Sequence, residues 1–344
     1  PLHAGTITAS GTNTTVYLRG NFTNSGSLVA QNSGQLIFDG TNTTGNLGSV
    51  TLSGGGRALL NGTLTNANLM APTGGKFELY GGTLSGGTIA ANALSFTTSG
   101  GYLDNVSLLD DLTLGASHFV RFINGASFTG ANATLAGNAG IYWQQVGTLT
   151  NKTLTFGNGA YLYVASTNNT LTLAPGTSAS GTTTLYGDGS TGNAITNQGS
   201  ITHTSGTGYL YATNFTNSGT ITATGGTLYV GYSSTPYAFT NTSTGNLTVN
   251  GSTASVWLQA TSTTPFNNAG NLTVQSGTLS SNSPLTNIGN IAIAAGTTFN
   301  EYSGATFTQT AGTLKIAGTF VAPTGGATIS GGSVTGTGNV TGDM

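Results

Sequence analysis

Hydrophobic positions in this chain come in short bursts of period two, separated by runs of Gly, Asn, Ser and Thr. Thr220-Ile221-Thr222-Ala223 is one burst and Thr227-Leu228-Tyr229-Val230 the next, with Thr224-Gly225-Gly226 between them. Successive side chains of a strand face opposite sides, so the first burst sends Ile221 inward and its threonines outward. The Gly-containing breaks read as corners. Helix is disfavoured throughout, because β-branched Thr, Val and Ile are abundant and Gly recurs every few residues.

The bursts belong to a repeated phrase: a large apolar residue, Thr or Asn, Asn, any residue, Gly, then an alternating strand. It reads Phe22-Thr23-Asn24-Ser25-Gly26, Ile195-Thr196-Asn197-Gln198-Gly199 and Phe215-Thr216-Asn217-Ser218-Gly219, with looser copies from Phe239, Phe266, Leu285 and Phe307. From Ile195 onward the copies start about 19 to 27 residues apart, the length of one solenoid turn. In each copy the apolar residue points inward, and Asn and Gly supply the left-handed or otherwise tight backbone of a corner. Stacked turns would place Asn24, Asn197, Asn217, Asn241, Asn268 and Asn287 at a structural corner, where an asparagine ladder bonds turn to turn.

The middle of the chain follows the same pattern less regularly, as in Gly82-Thr83-Leu84-Ser85-Gly86-Gly87-Thr88-Ile89 and Tyr161-Leu162-Tyr163-Val164. No charge run or linker divides it. The expected fold is therefore all-β: one continuous, parallel, right-handed β-helix over residues 1–344, without a helical domain and with an irregular stretch near 186–196. At the ~4.8 Å spacing of strands it would have roughly 15 rungs and a length of about 70 Å.

Composition narrows the function. Charged residues are 4% of the chain, against about 25% in ordinary globular proteins. The six cations, Arg19, Arg57, Lys76, Arg121, Lys152 and Lys315, are scattered and the net charge is −2, so nucleic acid, which needs clustered cations, is excluded as a partner. No apolar run approaches the ~20 residues of a membrane-spanning helix. Cysteine is absent, which is compatible with an oxidising exterior because stacked turns supply cooperativity without disulfides. The chain starts at Pro1 and stops at Met344 in mid-pattern, and is expected to be a piece of a longer precursor.

The phrases Gly82-Thr83-Leu84-Ser85-Gly86-Gly87-Thr88-Ile89, Ile195-Thr196-Asn197-Gln198-Gly199-Ser200-Ile201 and Leu154-Thr155-Phe156-Gly157-Asn158-Gly159-Ala160-Tyr161-Leu162-Tyr163-Val164 resemble the passenger regions of bacterial autotransporters and large haemagglutinin-like surface proteins. The closing Gly332-Ser333-Val334-Thr335-Gly336-Thr337-Gly338-Asn339-Val340-Thr341-Gly342 resembles the last rungs of such passengers. The resemblance covers nearly the whole chain. It implies a secreted or surface-exposed bacterial β-helix, and leaves activity open, since such regions include adhesins, filament formers and a few enzymes.

Catalysis is not expected. An enzyme on a β-solenoid needs paired carboxylates, or a carboxylate with a basic group, on adjacent turns. The eight acids cluster only at Asp104, Asp110 and Asp111, near His118 and Arg121. That cluster is either a calcium or catalytic site or a polar loop with a salt bridge to Arg121, and the second reading is the simpler. His3 and His203 are isolated, as surface or corner residues would be. No cofactor or metal site is expected. Ice binding lacks the strict Thr-x-Thr in every turn that it requires.

The aromatics are the better candidates for recognition. Tyr161 with Tyr163, and Tyr209 with Tyr211, are two apart and share a face. Facing outward they make a strip for glycan contact; facing inward they are core, with Leu162 and Leu210 turned to solvent. Core or partly buried packing is the favoured side of that choice. The leading functional expectation is an extracellular structural rod whose open terminal turns pair end to end, with another copy as a filament or with the remainder of a precursor. A surface adhesin that binds glycans is the alternative, and a polysaccharide-acting enzyme the third.

Overall fold

The computed structural model describes residues 2–234, 237–260, 264–302 and 304–344. They form an all-β, parallel β-solenoid of about 16 turns that is 1% helical; a single 3-10 turn spans Thr44–Asn46. The chain consists of two compact units, Pro1–Gln145 and Val146–Met344.

In the second unit each turn contributes a strand to each of three parallel faces. The first face stacks nine strands, from Val146–Leu149, Thr170–Leu173, Ala194–Asn197 and Asn214–Asn217 through to Ala327–Ile329. A second runs from Thr153–Phe156 through Ser200–His203 and Thr220–Ala223 to Ser333–Thr335. The third runs from Tyr161–Val164 through Thr207–Tyr211 and Thr298–Glu301 to Asn339–Thr341. Two long strands, Asn246–Gln259 and Asn271–Ser281, turn the corner between the second and third faces. Many inward positions repeat by residue type from turn to turn: Ile201 on Ile221, Leu247 on Leu272, Phe299 on Phe320. Like side chains therefore stack in columns that fill the inside, and Phe215, Phe239 and Phe266 stack at 5.1 and 4.7 Å. Such aromatic pairs contribute about 0.5–1.5 kcal/mol each beyond their burial.

The asparagines of the repeated phrase form a second inner column. Asn197 Nδ2 donates to Asn217 Oδ1, Asn217 to Asn241 and Asn241 to Asn268, each at 2.8 Å, and Asn268 donates to Asn287 at 2.7 Å. Asn287 continues the column to Gln309 Oε1 at 3.2 Å. Successive members are 20, 24, 27, 19 and 22 residues apart. All are buried, and each amide also reaches a backbone carbonyl at the following corner, as Asn217 does to Asn246 O. These residues end strands; they do not make the bend. Gly26, Gly199, Gly219, Gly270 and Gly289 of the phrase are required by close approach, with no left-handed backbone, whereas Gly312 in the copy from Phe307 is left-handed at φ 68°. A Cβ on Gly219 would lie 2.2 Å from the carbonyl oxygen of Gly199 one turn away, and one on Gly289 equally close to that of Gly270.

The first unit stacks shorter parallel sheets. Thr6–Ser10, Ser27–Gln31 and Ser49–Ser53 form one. Thr15–Arg19, Gln35–Asp39, Arg57–Leu60, Phe77–Leu79 and Leu94–Phe96 form another. Its corners rely on left-handed residues: Asn13, Asn32, Asn92, Asn105, Asn124 and Asn138 all lie between φ 51° and 67°. Asn tolerates this region because its short polar side chain bonds locally. Asn24, although it carries the same phrase as Asn197, has no asparagine in its column. It pairs with His3 in register and bonds to Leu47 O and Gly26 N.

Candidate functional site

The third face of the second unit carries the most concentrated chemistry. Tyr161–Val164, Thr184–Gly187, Thr207–Tyr211 and Thr227–Gly231 stack in parallel there. Leu162, Leu185, Leu210 and Val230 form a fully buried column, so period two turns the intervening tyrosines outward. Tyr161, Tyr163 and Tyr211 are thus outside the core but half-buried, and Tyr209 is exposed. Leu has no polar group to satisfy, whereas a tyrosine hydroxyl inside the coil would need a partner.

Tyr163, Tyr186, Tyr211 and Tyr232 form a ring column with centroids 4.7, 5.4 and 4.8 Å apart. Tyr209 stacks on Tyr229 at 5.3 Å with 12° between planes. Tyr161 joins through Tyr186 at 5.9 Å, and Tyr237 stands edge-on to Tyr211 and Tyr232. Eight tyrosines thus make one connected field, with Tyr209 and Tyr232 its exposed members. Tyr186 and Tyr237 were not among the residues singled out from sequence. Tyr186 is a lone tyrosine in its strand and is revealed by its register with Tyr163 and Tyr211, and Tyr237 lies outside the strands, where alternation gives no signal.

Asp188 closes one side of the field, in the irregular stretch. Its carboxylate accepts from Ser166 N at 2.8 Å, Ser190 N at 2.9 Å and Asn193 Nδ2 at 2.6 Å. Burial opposes its charge, but the hydrogen bonds from Ser190 and Ser166 outweigh it and hold the pKa below the ordinary carboxylate value. The Tyr211 hydroxyl is pushed well above the usual tyrosine value, by burial first and then by Tyr186, Tyr237, Tyr232 and Tyr163. Burial, then Asp188 and Tyr232, raises Tyr237. The Tyr211 and Tyr237 hydroxyls are therefore uncharged at neutral pH.

The remaining candidates are dispersed. Asp104 accepts from Asn124 Nδ2 at 2.7 Å and Ser85 Oγ at 3.3 Å. Asp110 accepts from the backbone of Asn92 and Asp111, and Asp111 from both nitrogens of Asn132. The expected salt bridge to Arg121 is not formed: the guanidinium stacks on aromatic rings instead, at 5.0 Å from Tyr102, 4.8 Å from Phe119 and 4.9 Å from Tyr142. Among the described residues no three His, Cys, Asp or Glu side chains come together. His203 is fully buried, not at the surface, because it occupies an inward position of Ser200–His203. Its ring nitrogens face Thr183 Oγ1 and Gly206 O, and burial lowers its pKa. An uncharged groove of about 570 Å³ lies in the first unit, lined by residues that include Leu47, Val50, Leu69, Met70 and Phe77.

The chain matches no family model, and no curated protein matches it. Among the described residues no helix is long and apolar enough to cross a membrane.

Proposed function

We propose that this chain is a non-enzymatic, surface-displayed β-solenoid of the bacterial autotransporter-passenger kind, and that it acts as an adhesin whose tyrosine field binds glycans. The observation that supports this is the field itself: eight tyrosines in ring contact, six of them on the strands of one face and Tyr232 and Tyr237 on the connection that follows. A contiguous aromatic patch that reaches solvent, as this one does at Tyr209 and Tyr232, is the kind of surface that marks interaction sites. Tyrosine is suited to the task because its ring loses little conformational entropy on binding and its hydroxyl adds hydrogen bonds. Sugar rings offer the complementary chemistry, with apolar C–H faces to lie on the rings and hydroxyls to meet the phenols. The test is a neutral-glycan array, followed by titration of the best oligosaccharide into the full chain. Replacing Tyr209 and Tyr211 together with Ala should weaken binding about tenfold or more. Tyr17→Ala, at an exposed ring in the first unit, should leave it unchanged. An array without hits, or hits indifferent to the double substitution, would sink the proposal.

End-to-end self-association is a second reading, favoured by the outer edge of the second unit. Val334 and Val340 continue the columns of Leu314 and Phe320, yet each is 38% exposed. A strand added to that edge, from a second copy or from more of the same chain, would bury them. Sedimentation of the full chain tests it: a species that stays monomeric as concentration rises counts against a filament.

A further inference from the structure

Arg121 in the first unit is held by aromatic rings, whereas two other arginines there are held by acids. Arg19 is paired with Asp39, and Arg57 with Glu78. Arg121 has no ion-pair partner among the described residues. It sits instead at the middle of a three-ring box, its guanidinium carbon within 5.0 Å of the centroids of Tyr102, Phe119 and Tyr142. The register builds the box: Tyr102, Arg121 and Tyr142 are direct neighbours on three successive strands. Leu103, Val120, Phe122, Ile141 and Trp143 are buried beneath, so the box faces outward. Phe119 is brought in by Gly100, where a Cβ would lie 2.0 Å from its ring, and it meets Tyr142 edge-on at 5.7 Å.

A guanidinium held by aromatic rings keeps N–H donors available to bind, since a ring offers them no lone-pair acceptor. The nearest acid along these strands, Asp104, has its oxygens engaged by Asn124 and Ser85. We propose that Arg121 in this aromatic box is an anion-recognition site, distinct from the tyrosine field, that takes the carboxylate of an acidic sugar within a glycan chain. A carboxylate matches the planar guanidinium edge with two parallel hydrogen bonds. The box fixes the side chain beforehand, so little rotamer entropy is lost on binding. Tyr102 and Tyr142 flank the charge on both sides and supply the ring faces and hydroxyls for the sugar that bears it. The choice of a glycan over another carboxylate rests on the adhesin reading above; the anion site rests on the box alone.

The test uses the full chain and four probes: tetragalacturonate, its methyl ester, an uncharged tetrasaccharide of glucose, and poly-glutamate. Tetragalacturonate should bind at least about tenfold more tightly than its ester. Arg121→Gln should abolish that difference while leaving the uncharged tetrasaccharide unaffected. Arg121→Lys, which keeps the charge but not the planar fork, should retain only part of it. Thermal melts of both variants establish that the fold is intact, and Arg121→Lys keeps the test valid if Arg121→Gln unfolds. Equal binding of acid and ester, or a difference that survives Arg121→Gln, overturns the site. Binding of the uncharged sugar alone overturns the site and leaves the tyrosine reading standing. Binding of poly-glutamate through Arg121 in preference to tetragalacturonate overturns the glycan assignment.

Discussion

The two units put the same residue to opposite uses. In the first, six asparagines from Asn13 to Asn138 stand in left-handed backbone at corners. In the second, Asn197 to Asn287 are buried in strands and joined side chain to side chain. Among the described residues of the second unit, left-handed asparagine occurs only at Asn151 and Asn168. The left-handed asparagine is replaceable in principle by glycine, because what is required there is a backbone conformation. The ladder asparagine is not, because its amide is the partner of the turns above and below. A buried amide is tolerable only when its hydrogen bonds are satisfied: the ladder asparagines find them on one another, and Asn24, without such neighbours, finds them on the backbone.

Breaking the ladder at its centre should have the largest effect. Asn241→Ala strands the Asn217 donor and the Asn268 acceptor, and should lower stability by about 2–5 kcal/mol. Asn24→Ala, with no ladder to interrupt, should cost about half as much or less. Urea unfolding of the two variants compares them directly, and equal losses would mean that the column has no collective role.

Glu301 sharpens the contrast as a buried polar group outside any ladder. Period two places it on the inward side with Phe299, and neither carboxyl oxygen has a hydrogen-bond partner. The adjacent Ser281 hydroxyl, which would favour ionisation, donates to Ser283 O at 2.9 Å. Burial therefore holds the pKa well above the ordinary glutamate value. The folded state then keeps a proton that the unfolded state releases above about pH 4.3. Stability should fall as pH rises from there towards the raised folded pKa, by up to about 1.4 kcal/mol per pH unit. Glu301→Gln should remove that slope and be more stable than the parent at pH 7. His203 acts with the opposite sign, its lowered pKa costing stability as pH falls below about 6.5. If the parent and Glu301→Gln share one pH–stability profile, the carboxyl is not buried as described.

Smaller changes probe the ladder's start and the other unit's corners. Asn197 Oδ1 is buried without a partner because the residue below it in register is Leu173. Leu173→Asn would supply the missing donor, and the gain of about 1 kcal/mol should offset much of the lost apolar burial. The result should be a change within about 1 kcal/mol, where a buried Leu→Ala costs about 2–5. Asn138→Gly, at φ 58° in the first unit, should shift stability by about 0.5 kcal/mol or less. A larger loss there would show that this asparagine, too, works through its side chain.

Much of this was legible in the chain. The phrase from Ile195 onward set the turn length, and the ladder spacings of 19 to 27 residues match it. Glu301 was also readable in principle, since Thr298-Phe299-Asn300-Glu301 alternates with Phe299 inward. The tyrosine field was not. In Tyr161-Leu162-Tyr163-Val164 both sets are apolar enough for a core, so alternation assigns pairs to faces without saying which face is inside. Nor does a lone Tyr186 announce that it lies between Tyr163 and Tyr211. The box around Arg121 depends likewise on residues one turn away in each direction, and sequence proximity to Asp104, Asp110 and Asp111 pointed to the wrong partners.

The sequence by itself determined that this protein is a parallel coil of short strands, because period two and recurrent glycine are local properties that no packing can reverse. It also determined where like residues recur. Tertiary structure decided which of those recurrences meet. The registers that stack Tyr163 on Tyr186, join Asn217 to Asn241 and set Arg121 between Tyr102 and Tyr142 come from turns of unequal length. Their alignment is settled within each unit by burying that unit's apolar columns, a condition that involves all of its turns at once.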